Sequence, residues 1–330
     1  MKTNILVSSK ESKLKRFIIG THDGISHPDE VVACAILTLL HDNEQIEIVR
    51  SKEISYLAEK GVDIFVDVGK GNYDHHQPGG NGKRENGIPY ASAGLIWKDF
   101  GRELICRCYE KLYESTLNSK DPFVSCVFEL IDAKLIQEVD KEDNGIYTSL
   151  HVFSFISSFL PVYGSNYSNF DEAFKLAIDT ASQILVYEIF QSIARLKTKK
   201  DLCDMIKNNG IINDHILEIP SQAFPWLESV TYHNNISSSF ENWNHIYFVI
   251  FPYLSGGWAA QCVPPSFERK FDQIAPFPKE WAGQTDKLPE ISGVEDATFC
   301  HNGCFFVQAK SREGVIALCN KAQENNENNV

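Results

Sequence analysis

The sequence predicts an α/β protein of two domains: a larger one with a parallel sheet covered by helices on both faces, and a smaller α+β one. The chain has 330 residues, which corresponds to about two domains at roughly 150 residues each. Strand-like apolar runs alternate with helix-like segments through residues 17–68, the order that produces a parallel sheet with crossover helices. Beyond about residue 211, short apolar runs alternate instead with Gly and Pro turns, which favours an α+β domain.

The elements follow from local patterns. Ser26 is the expected N-cap of a first helix, with Pro28 in its first turn and apolar residues continuing to about residue 40 at helical spacing. The third strand is uniformly apolar around Asp63, so we expect it to be buried on both faces. The predicted strands cover 17–20, 46–49 and 62–68, and the further helices cover about 53–60, 90–117, 121–140, 170–205 and 312–322.

The same patterns set the domain boundaries. Residues 1–16 hold five basic side chains and one acid, so this segment is either a disordered tail or a weak mitochondrial presequence. We expect the catalytic domain over 17–168, a linking helix over 169–210 and the second domain over 211–322. Residues 323–330, rich in Asn and Glu, are expected to be a disordered tail.

Composition excludes some classes of function. The chain has 31 basic and 44 acidic residues and a formal net charge of −13, which argues against a protein that coats duplex DNA by charge. It leaves open a nucleic-acid enzyme whose carboxylates bind metal cations. No apolar stretch reaches the roughly 18 residues of a transmembrane helix, so no membrane partner is expected. The nine cysteines are scattered and odd in number, which indicates free thiols in an intracellular, reducing compartment.

Imidazoles and carboxylates follow the predicted strands where each of them ends. Carboxyl ends of parallel strands meet at one edge of a sheet, so these side chains are expected to converge there. Each residue taken alone is also compatible with a helix cap or a solvated loop. Taken together, mixed nitrogen and oxygen ligands suit Mn, Fe, Co or Zn better than Mg. The residues are His22, His27, Asp29, Asp67, Asp74, His75 and His76.

A second acidic cluster ends the helix predicted over 121–140. Acids at a helix C-terminus oppose the helix dipole, so this cluster is either a solvated helix end or the part that completes the metal site. Asp140 and Asp143 are three residues apart and therefore share a helix face.

Several segments together resemble the melanocyte-proliferating-gene exonuclease family, a branch of the DHH phosphoesterase superfamily. The matches cover about residues 17–322, and their order is more specific than any single one. They include Gly20–Thr21–His22–Asp23–Gly24, Val66–Asp67–Val68–Gly69, Tyr73–Asp74–His75–His76–Gln77, Asp140–Lys141–Glu142–Asp143–Asn144–Gly145, Gly256–Gly257–Trp258 and Arg312–Glu313–Gly314.

The resemblance implies a DHH domain, a smaller DHH-associated substrate domain and a centre of two divalent metal ions. Manganese is the expected metal, with Mg, Co or Zn as alternatives. The implied catalytic residues are Asp67, His75 and His76. Asp74 would orient His75 or bridge to metal, and His76 would contact phosphate or support the centre. The implied ligands are His22, His27, Asp29, Asp67, His75 and one acid of the fourth motif, with Asp140 preferred over Asp143.

The implied activity is 3′-to-5′ exonuclease cleavage of single-stranded RNA or a short oligonucleotide, with a water between the two metals as the nucleophile. A pyrophosphatase or small-nucleotide phosphodiesterase, and a non-catalytic RNA-binding protein stabilised by metal, are the alternatives. Mitochondria, nucleus or cytoplasm are the expected locations, and the oligomeric state stays open, with a homodimer as one alternative. Candidate substrate-binding residues are His76, Gly256, Gly257, Arg269, His301, Lys310 and Arg312; the glycine pair is equally compatible with a turn.

Overall fold

The computed structural model describes residues 3–6, 15–147, 158–165, 169–207, 211–237, 245–266 and 269–328. The chain divides into two compact units, Met1–Ile193 and Ala194–Val330. The boundary falls inside the long helix Phe170–Lys207, in the region where the sequence predicts a linking helix. Within the described part of the chain, no helix has both the length and the apolar character that a membrane crossing requires.

A four-stranded sheet organises the first unit. Its strands are β1 (Thr3–Leu6), β2 (Arg16–Thr21), β3 (Gln45–Arg50) and β4 (Ile64–Phe65), in the order β1-β3-β2-β4. β2 lies between β3 and β4 and is parallel to both, with Ile19 opposite Ile48 and Ile64. β1 pairs antiparallel with the outer edge of β3. The predicted parallel sheet is therefore confirmed, with one antiparallel strand added.

Helices cover this sheet. Leu57 packs with Ile18 and Val49 on one face, while Ile19 and Ile48, which alternate to the other face, are also fully buried. The first helix packs against the third, and both contact the fifth. A π-helical turn, Asp132–Ile136, joins the fourth helix to the fifth. The helices are α1 (Pro28–Leu40), α2 (Ile54–Glu59), α3 (Ser92–Tyr113), α4 (Pro122–Ile131), α5 (Gln137–Asp143) and α6 (Phe170–Lys207).

Three local predictions in the first unit differ from the structure. The N-cap of α1 is His27 rather than Ser26, because the Glu30 carboxylate accepts the His27 N–H at 2.7 and 2.9 Å and starts the helix there. β4 is only two half-buried residues long, since Asp67 takes a positive φ of 54° that turns the chain out of the sheet. Residues predicted as a disordered or targeting tail include β1, which gains backbone hydrogen bonds from the open edge of β3.

The second unit contains a six-stranded sheet in the order β5-β6-β7-β8-β10-β9. Among the strand pairs of the described residues in this unit, only β6–β7 is parallel. One face packs against the C-terminal helix through Leu318, Cys319 and Ala322, and the other face packs against Trp226 and Val230. The strands are β5 (Ile211–Ile212), β6 (Ile216–Glu218), β7 (Phe248–Pro252), β8 (Trp258–Cys262), β9 (Ala297–Cys300) and β10 (Phe306–Ala309), and the helices are α7 (Leu227–Ser237), α8 (Leu288–Ser292) and α9 (Arg312–Asn328).

The C-terminal tail predicted over 323–330 is helical as far as Asn328, where α9 ends, and its last two residues lie outside the described part of the chain. Polar side chains support its last turns. The Gln323 amide donates to Glu327 at 2.9 Å, and the Asn326 amide donates to the carbonyls of Pro276 and Ala322. An Asn- and Glu-rich composition therefore marks a solvated helix face here rather than disorder.

Gly94, in the first turn of α3, allows α5 to approach closely. Its N–H donates to Asp140 Oδ1 at 2.9 Å, and a Cβ built at this position would overlap Asp140 Oδ2. In an exposed helix Gly→Ala is stabilising by about 1 kcal/mol, but overpacking in a filled interior costs about 1–3 kcal/mol. We therefore expect Gly94→Ala to lower the free energy of unfolding, measured by urea denaturation.

Gly71→Ala is the matched control for this prediction, because a Cβ at Gly71 meets no atom within 4 Å. This variant should be neutral or slightly stabilising. A Gly94→Ala protein as stable as the Gly71→Ala protein would contradict the close contact between α3 and α5.

Candidate metal centre

Four segments of the first unit bring acids and imidazoles to the carboxyl edge of the parallel strands. His22 directly follows β2, and His27, Asp29 and Glu30 lie at the start of α1. Asp67 and the Asp74–His75–His76 run follow β4, and Asp143 is the last residue of α5. Of the predicted ligands, the structure brings His22, His27, Asp29, Asp67, His75 and Asp143 together.

Asp67 lies at the middle of this group and is held by its local backbone. Its φ of +54° is in the left-handed region, which Asp tolerates better than most residues. The Asp67 N–H donates to the Tyr73 carbonyl at 2.9 Å, and the Ser92 hydroxyl donates to Asp67 Oδ1 at 2.9 Å. The carboxylate is thus buried and fixed in one orientation, as at a strained functional position.

One group of potential metal ligands surrounds His75. Its Nε2 is 2.8 Å from Asp143 Oδ2, 3.6 Å from Asp67 Oδ1 and 3.7 Å from Asp29 Oδ2. None of these approaches has the alignment of a hydrogen bond. Three carboxylate oxygens thus surround one imidazole nitrogen, and two overlapping groups of potential metal ligands include these residues: Asp67, His75 and His76, and His27, Asp29 and Asp143.

A second group of potential metal ligands surrounds His22. Its Nδ1–H donates to the Asp23 carbonyl at 3.0 Å, so Nε2 is the nitrogen free to bind a metal. Nε2 lies 3.2 Å from Glu30 Oε1 and 3.5 Å from Asp67 Oδ2, and the His27 ring is 5.7 Å from the His22 ring. The two oxygens of Asp67 thus face different imidazoles, Oδ2 facing His22 and Oδ1 facing His75.

The electrostatics of the group favour the binding of positive charge. Burial, followed by the charges of Asp67, Glu30 and Asp143, raises the pKa of Asp29 well above its usual range. Burial acts to lower the pKa of His22, but the contacts with Asp67 and Glu30 outweigh it and raise that pKa to about 10. Two buried carboxylate oxygens, Asp29 Oδ1 and Asp67 Oδ2, have no hydrogen-bond partner among the described residues. Buried charges of one sign require compensation, and cations bound between these oxygens would supply it.

The preference for Asp140 over Asp143 as a ligand is not supported by the geometry. The Arg84 guanidinium donates to Asp140 Oδ2 at 2.6 Å, and the Gly94 N–H occupies Oδ1. Arg84 also makes a bidentate contact with Asp132 at 2.7 and 2.9 Å. Asp140 therefore anchors α5 to α3 and to the loop of Arg84, and Asp143 is the acid that faces His75.

The Asp74 side chain also makes contacts that differ from those expected. Its Oδ1 accepts the His76 backbone N–H at 2.9 Å and lies 3.0 Å from His76 Nδ1, while Oδ2 accepts the Lys70 N–H at 2.6 Å. It therefore orients His76 and closes the loop after Asp67, rather than orienting His75. His76 itself has a side chain that is 59% exposed.

Two buried residues support the centre without having been predicted. Both Glu30 oxygens accept the His27 N–H, and Oε1 also contacts His22, so Glu30 fixes two imidazoles. Arg50 is 1% exposed and donates to the His22 and Gly24 carbonyls at 3.2 and 2.8 Å. The sequence signal for this role of Arg50 was an arginine at the end of an apolar strand, because a buried charge needs partners.

A cavity of about 540 Å³ opens over the centre. His22, His27, Asp67 and His76 reach it, and two lysines that the sequence reading missed, Lys52 and Lys70, also line it. Lys70 is aimed by the same tight loop as Asp67, with a positive φ of 55°. The cavity thus combines ligand side chains with two cations, which suits an anionic substrate.

The predicted substrate-binding residues of the second unit have other local partners. Gly256 and Gly257 form the turn between β7 and β8, in which the Gly256 N–H donates to the Tyr253 carbonyl at 3.0 Å. Gly257 has a φ of +78°, and a Cβ there would lie 2.6 Å from the Ala309 carbonyl oxygen. The two glycines thus form a turn, and a phosphate-binding role for their backbone amides stays a prediction.

Three of the four basic candidates of that unit have a side-chain contact with an acid or a ring. Arg269 contacts Asp272 at 2.7 Å, and Arg312 contacts Glu218 at 2.5 and 2.8 Å. The His301 ring lies 4.4 Å from the Phe305 ring. The Lys310 backbone N–H donates to the Asp296 carbonyl at 2.9 Å. A phosphate-binding role for these side chains stays a prediction.

Comparisons with known protein sequences identify the same protein family. Residues 18–323 match the sequence model of the MYG1 exonuclease family, described as an uncharacterised protein family (UPF0160). A protein of Homo sapiens named MYG1 exonuclease is 29% identical, with 91% of this chain and 84% of that protein covered. A protein of Chlamydia trachomatis named MYG1 protein is 28% identical, with 92% and 95% covered. A Dictyostelium discoideum protein of the same name is 27% identical, with 92% and 95% covered.

Proposed function

The chain belongs to the MYG1 exonuclease family, and from this premise we propose that it is a metal-dependent phosphodiesterase that removes nucleotides from the 3′ end of single-stranded RNA. The observation that carries the proposal is the position of Asp67, whose two oxygens face His22 and His75 separately. The choice of RNA, the 3′-to-5′ direction and the mitochondrial or nuclear location rest on the resemblance found in the sequence.

Two divalent cations, with manganese as the expected metal, fit the donor set. His22, His27 and Asp67 would hold one of them, and Asp29, Asp67, His75 and Asp143 would hold the other. Asp29, Glu30, Asp67 and Asp143 lie around these positions, and four carboxylates carry the charge that two divalent cations neutralise. Mixed imidazole and carboxylate ligands suit manganese. Glu30 would position His27 rather than bind a cation, because both of its oxygens already accept the His27 N–H.

The chemistry that bound divalent cations supply is the activation of a water nucleophile at neutral pH and the stabilisation of charge on phosphoryl oxygens. The remaining work falls to residues of the cavity. Lys52 and Lys70 would hold the non-reacting phosphate oxygens by charge. Asp74 lies 3.0 Å from Nδ1 of His76 and so orients that ring at the cavity, where His76 would contact a phosphate oxygen. Ser92 keeps Asp67 oriented through its hydroxyl.

The test is a cleavage assay on protein stripped with chelator and then supplied with manganese, using single-stranded RNA labelled at its 5′ end. We expect no cleavage by the stripped protein, and a ladder that shortens from the 3′ end after manganese is added. Manganese should also raise the melting temperature, because a ligand at 1,000 times its Kd stabilises the folded state by about 4 kcal/mol.

The alternatives give different results in the same assay. Cleavage of pyrophosphate or dinucleotides without cleavage of RNA would contradict the exonuclease proposal in favour of a small-substrate hydrolase. Binding of manganese without turnover of any phosphoester would contradict enzymatic activity altogether and favour a metal-stabilised binding protein.

A further inference from the structure

A second cavity, of about 310 Å³, lies beside the cavity of the metal centre. The two share the residues Ile54, Val68 and Gly69. The second cavity is lined mainly by apolar and aromatic side chains, among them Ile64, Phe65 and Tyr73. Its volume is at the lower end of the range for small-molecule sites, which is sufficient for one planar ring system.

The wall shared by the two cavities includes the backbone of Gly69 and the side chain of Ile54. Gly69 has a φ of +84°, and a Cβ built there would lie 3.2 Å from Ile54 Cδ1, so the backbone of Gly69 and the Ile54 side chain lie against each other. Ile54 is 39% exposed. A ligand with its anionic part at Lys52, Lys70 and the metal centre can therefore extend over this wall into the second cavity.

The ring of Tyr73 is held in place before any ligand binds. It lies 5.8 Å from the Phe100 ring, in a tilted contact, and its hydroxyl donates to Asp99 Oδ2 at 3.0 Å. Phe65 beside it is half-buried at the end of β4. Aromatic faces fixed in this way are the platforms on which nucleobases stack in sites for single-stranded nucleic acids.

The polar side chains that line this cavity differ in whether they can form hydrogen bonds with a ligand. Asp63 Oδ2 already accepts the Ile18 N–H at 2.8 Å. Asn72 also lines the cavity, and its exposed side-chain amide can donate to and accept from the edge of a planar ligand. A cavity with aromatic walls and an amide, next to a site for anions, matches the chemistry of a nucleotide better than that of inorganic phosphate or pyrophosphate.

We infer that the second cavity is a nucleobase subsite, which receives the base of the nucleotide whose phosphate lies at the metal centre. The inference rests on the proposed function and specifies its substrate class: a nucleoside phosphate rather than a phosphate ester in general. Tyr73 stacks on the base, Ile54 and Val68 pack against the sugar, and Lys52 and Lys70 contact the phosphate. Stacking accepts every base, so the subsite predicts little sequence preference.

The test compares two ligands that share a sugar phosphate and differ in the base. Adenosine 5′-monophosphate and ribose 5-phosphate are titrated calorimetrically into the full chain supplied with manganese. We expect the nucleotide to bind about fivefold tighter or more, because one stacked base contributes at least this much. Tyr73→Ala should remove the difference and leave the affinity for ribose 5-phosphate unchanged. Tyr73→Phe should keep the difference, because the ring remains.

Tyr187→Ala is the matched control, since Tyr187 is a 66% exposed tyrosine of α6 that lines neither cavity. If Tyr73→Ala does not fold, as judged by circular dichroism, Tyr73→Leu keeps apolar volume without a stacking face and should lose the preference as well. Equal affinities of the wild-type protein for the two ligands would overturn the inference, as would an equal loss of both affinities in Tyr73→Ala.

The failure of the subsite and the failure of the proposed function give different results. Binding of ribose 5-phosphate with no preference for the nucleotide overturns only the subsite. Absence of binding of both ligands to protein that retains manganese overturns the subsite and the proposed phosphate site together.

Discussion

Asp67→Asn is expected to abolish cleavage by more than about 100-fold while the fold survives. Loss of an outer-shell partner of a metal ligand costs about 10–100-fold, and in the proposed centre Asp67 would bind both cations directly. Asparagine keeps the volume and can still accept the Ser92 hydroxyl at Oδ1. The measurement is the turnover of labelled RNA at saturating manganese, together with the bound metal per chain.

The stability of the same variant separates a functional from a structural role. The Asp67 carboxylate raises the pKa of Asp29 by repulsion and the pKa of His22 by a favourable contact, so a neutral amide removes one unfavourable and one favourable interaction in the metal-free protein. We expect the melting temperature of metal-free Asp67→Asn to stay close to that of the wild-type protein. Asp42→Asn, at an exposed acid after α1, should change neither activity nor stability. A metal-free Asp67→Asn that melts far below wild type would contradict the assignment.

Asp140→Ala and Asp143→Ala should have opposite consequences, although the two acids are one helical turn apart. Asp140 is fully buried and pairs with Arg84, whose side chain is 8% exposed. Removal of one partner of a buried ion pair costs about 3–5 kcal/mol, so we expect Asp140→Ala to lose stability by about this amount. Asp143→Ala should lower manganese affinity and cleavage with little change in the stability of the metal-free protein.

Urea denaturation of the two metal-free variants, combined with equilibrium dialysis against manganese, measures both effects. Burial raises the pKa of Asp140 to about 6 although Arg84 acts to lower it, so desolvation offsets part of the ion pair and the lower end of the range is expected. A stable Asp140→Ala protein that binds no manganese would reverse the assignment of the two acids.

The sequence predicted the parallel strands and the edge where the ligands meet, because both depend on local patterns. The strand around Ile19, the strand around Ile48 and the helix after Pro28 follow from apolar periodicity and helix-start chemistry. Once the order strand–helix–strand is known, the strand ends lie at one edge, and the residues that follow them lie close together.

The rest depended on contacts that no local pattern contains. The π-helical turn Asp132–Ile136 changes the rotation of the helix that follows it, so spacing alone could not tell whether Asp140 or Asp143 faces the centre. Arg84, which binds Asp140, is 56 residues distant in sequence. The shortening of β4 depends on the positive φ of Asp67, and the strand Thr3–Leu6 depends on an open sheet edge supplied by β3.

Manganese stoichiometry measured on one sample together with its activity tests the central claim most directly. Metal-free protein is titrated with manganese, and bound metal, cleavage of RNA and the paramagnetic resonance spectrum are recorded at each step. Two cations per chain that share Asp67 predict that activity continues to rise until two equivalents are bound, with the spectrum of a magnetically coupled pair. Full activity at one equivalent, with the spectrum of an isolated ion, would contradict the two-metal centre.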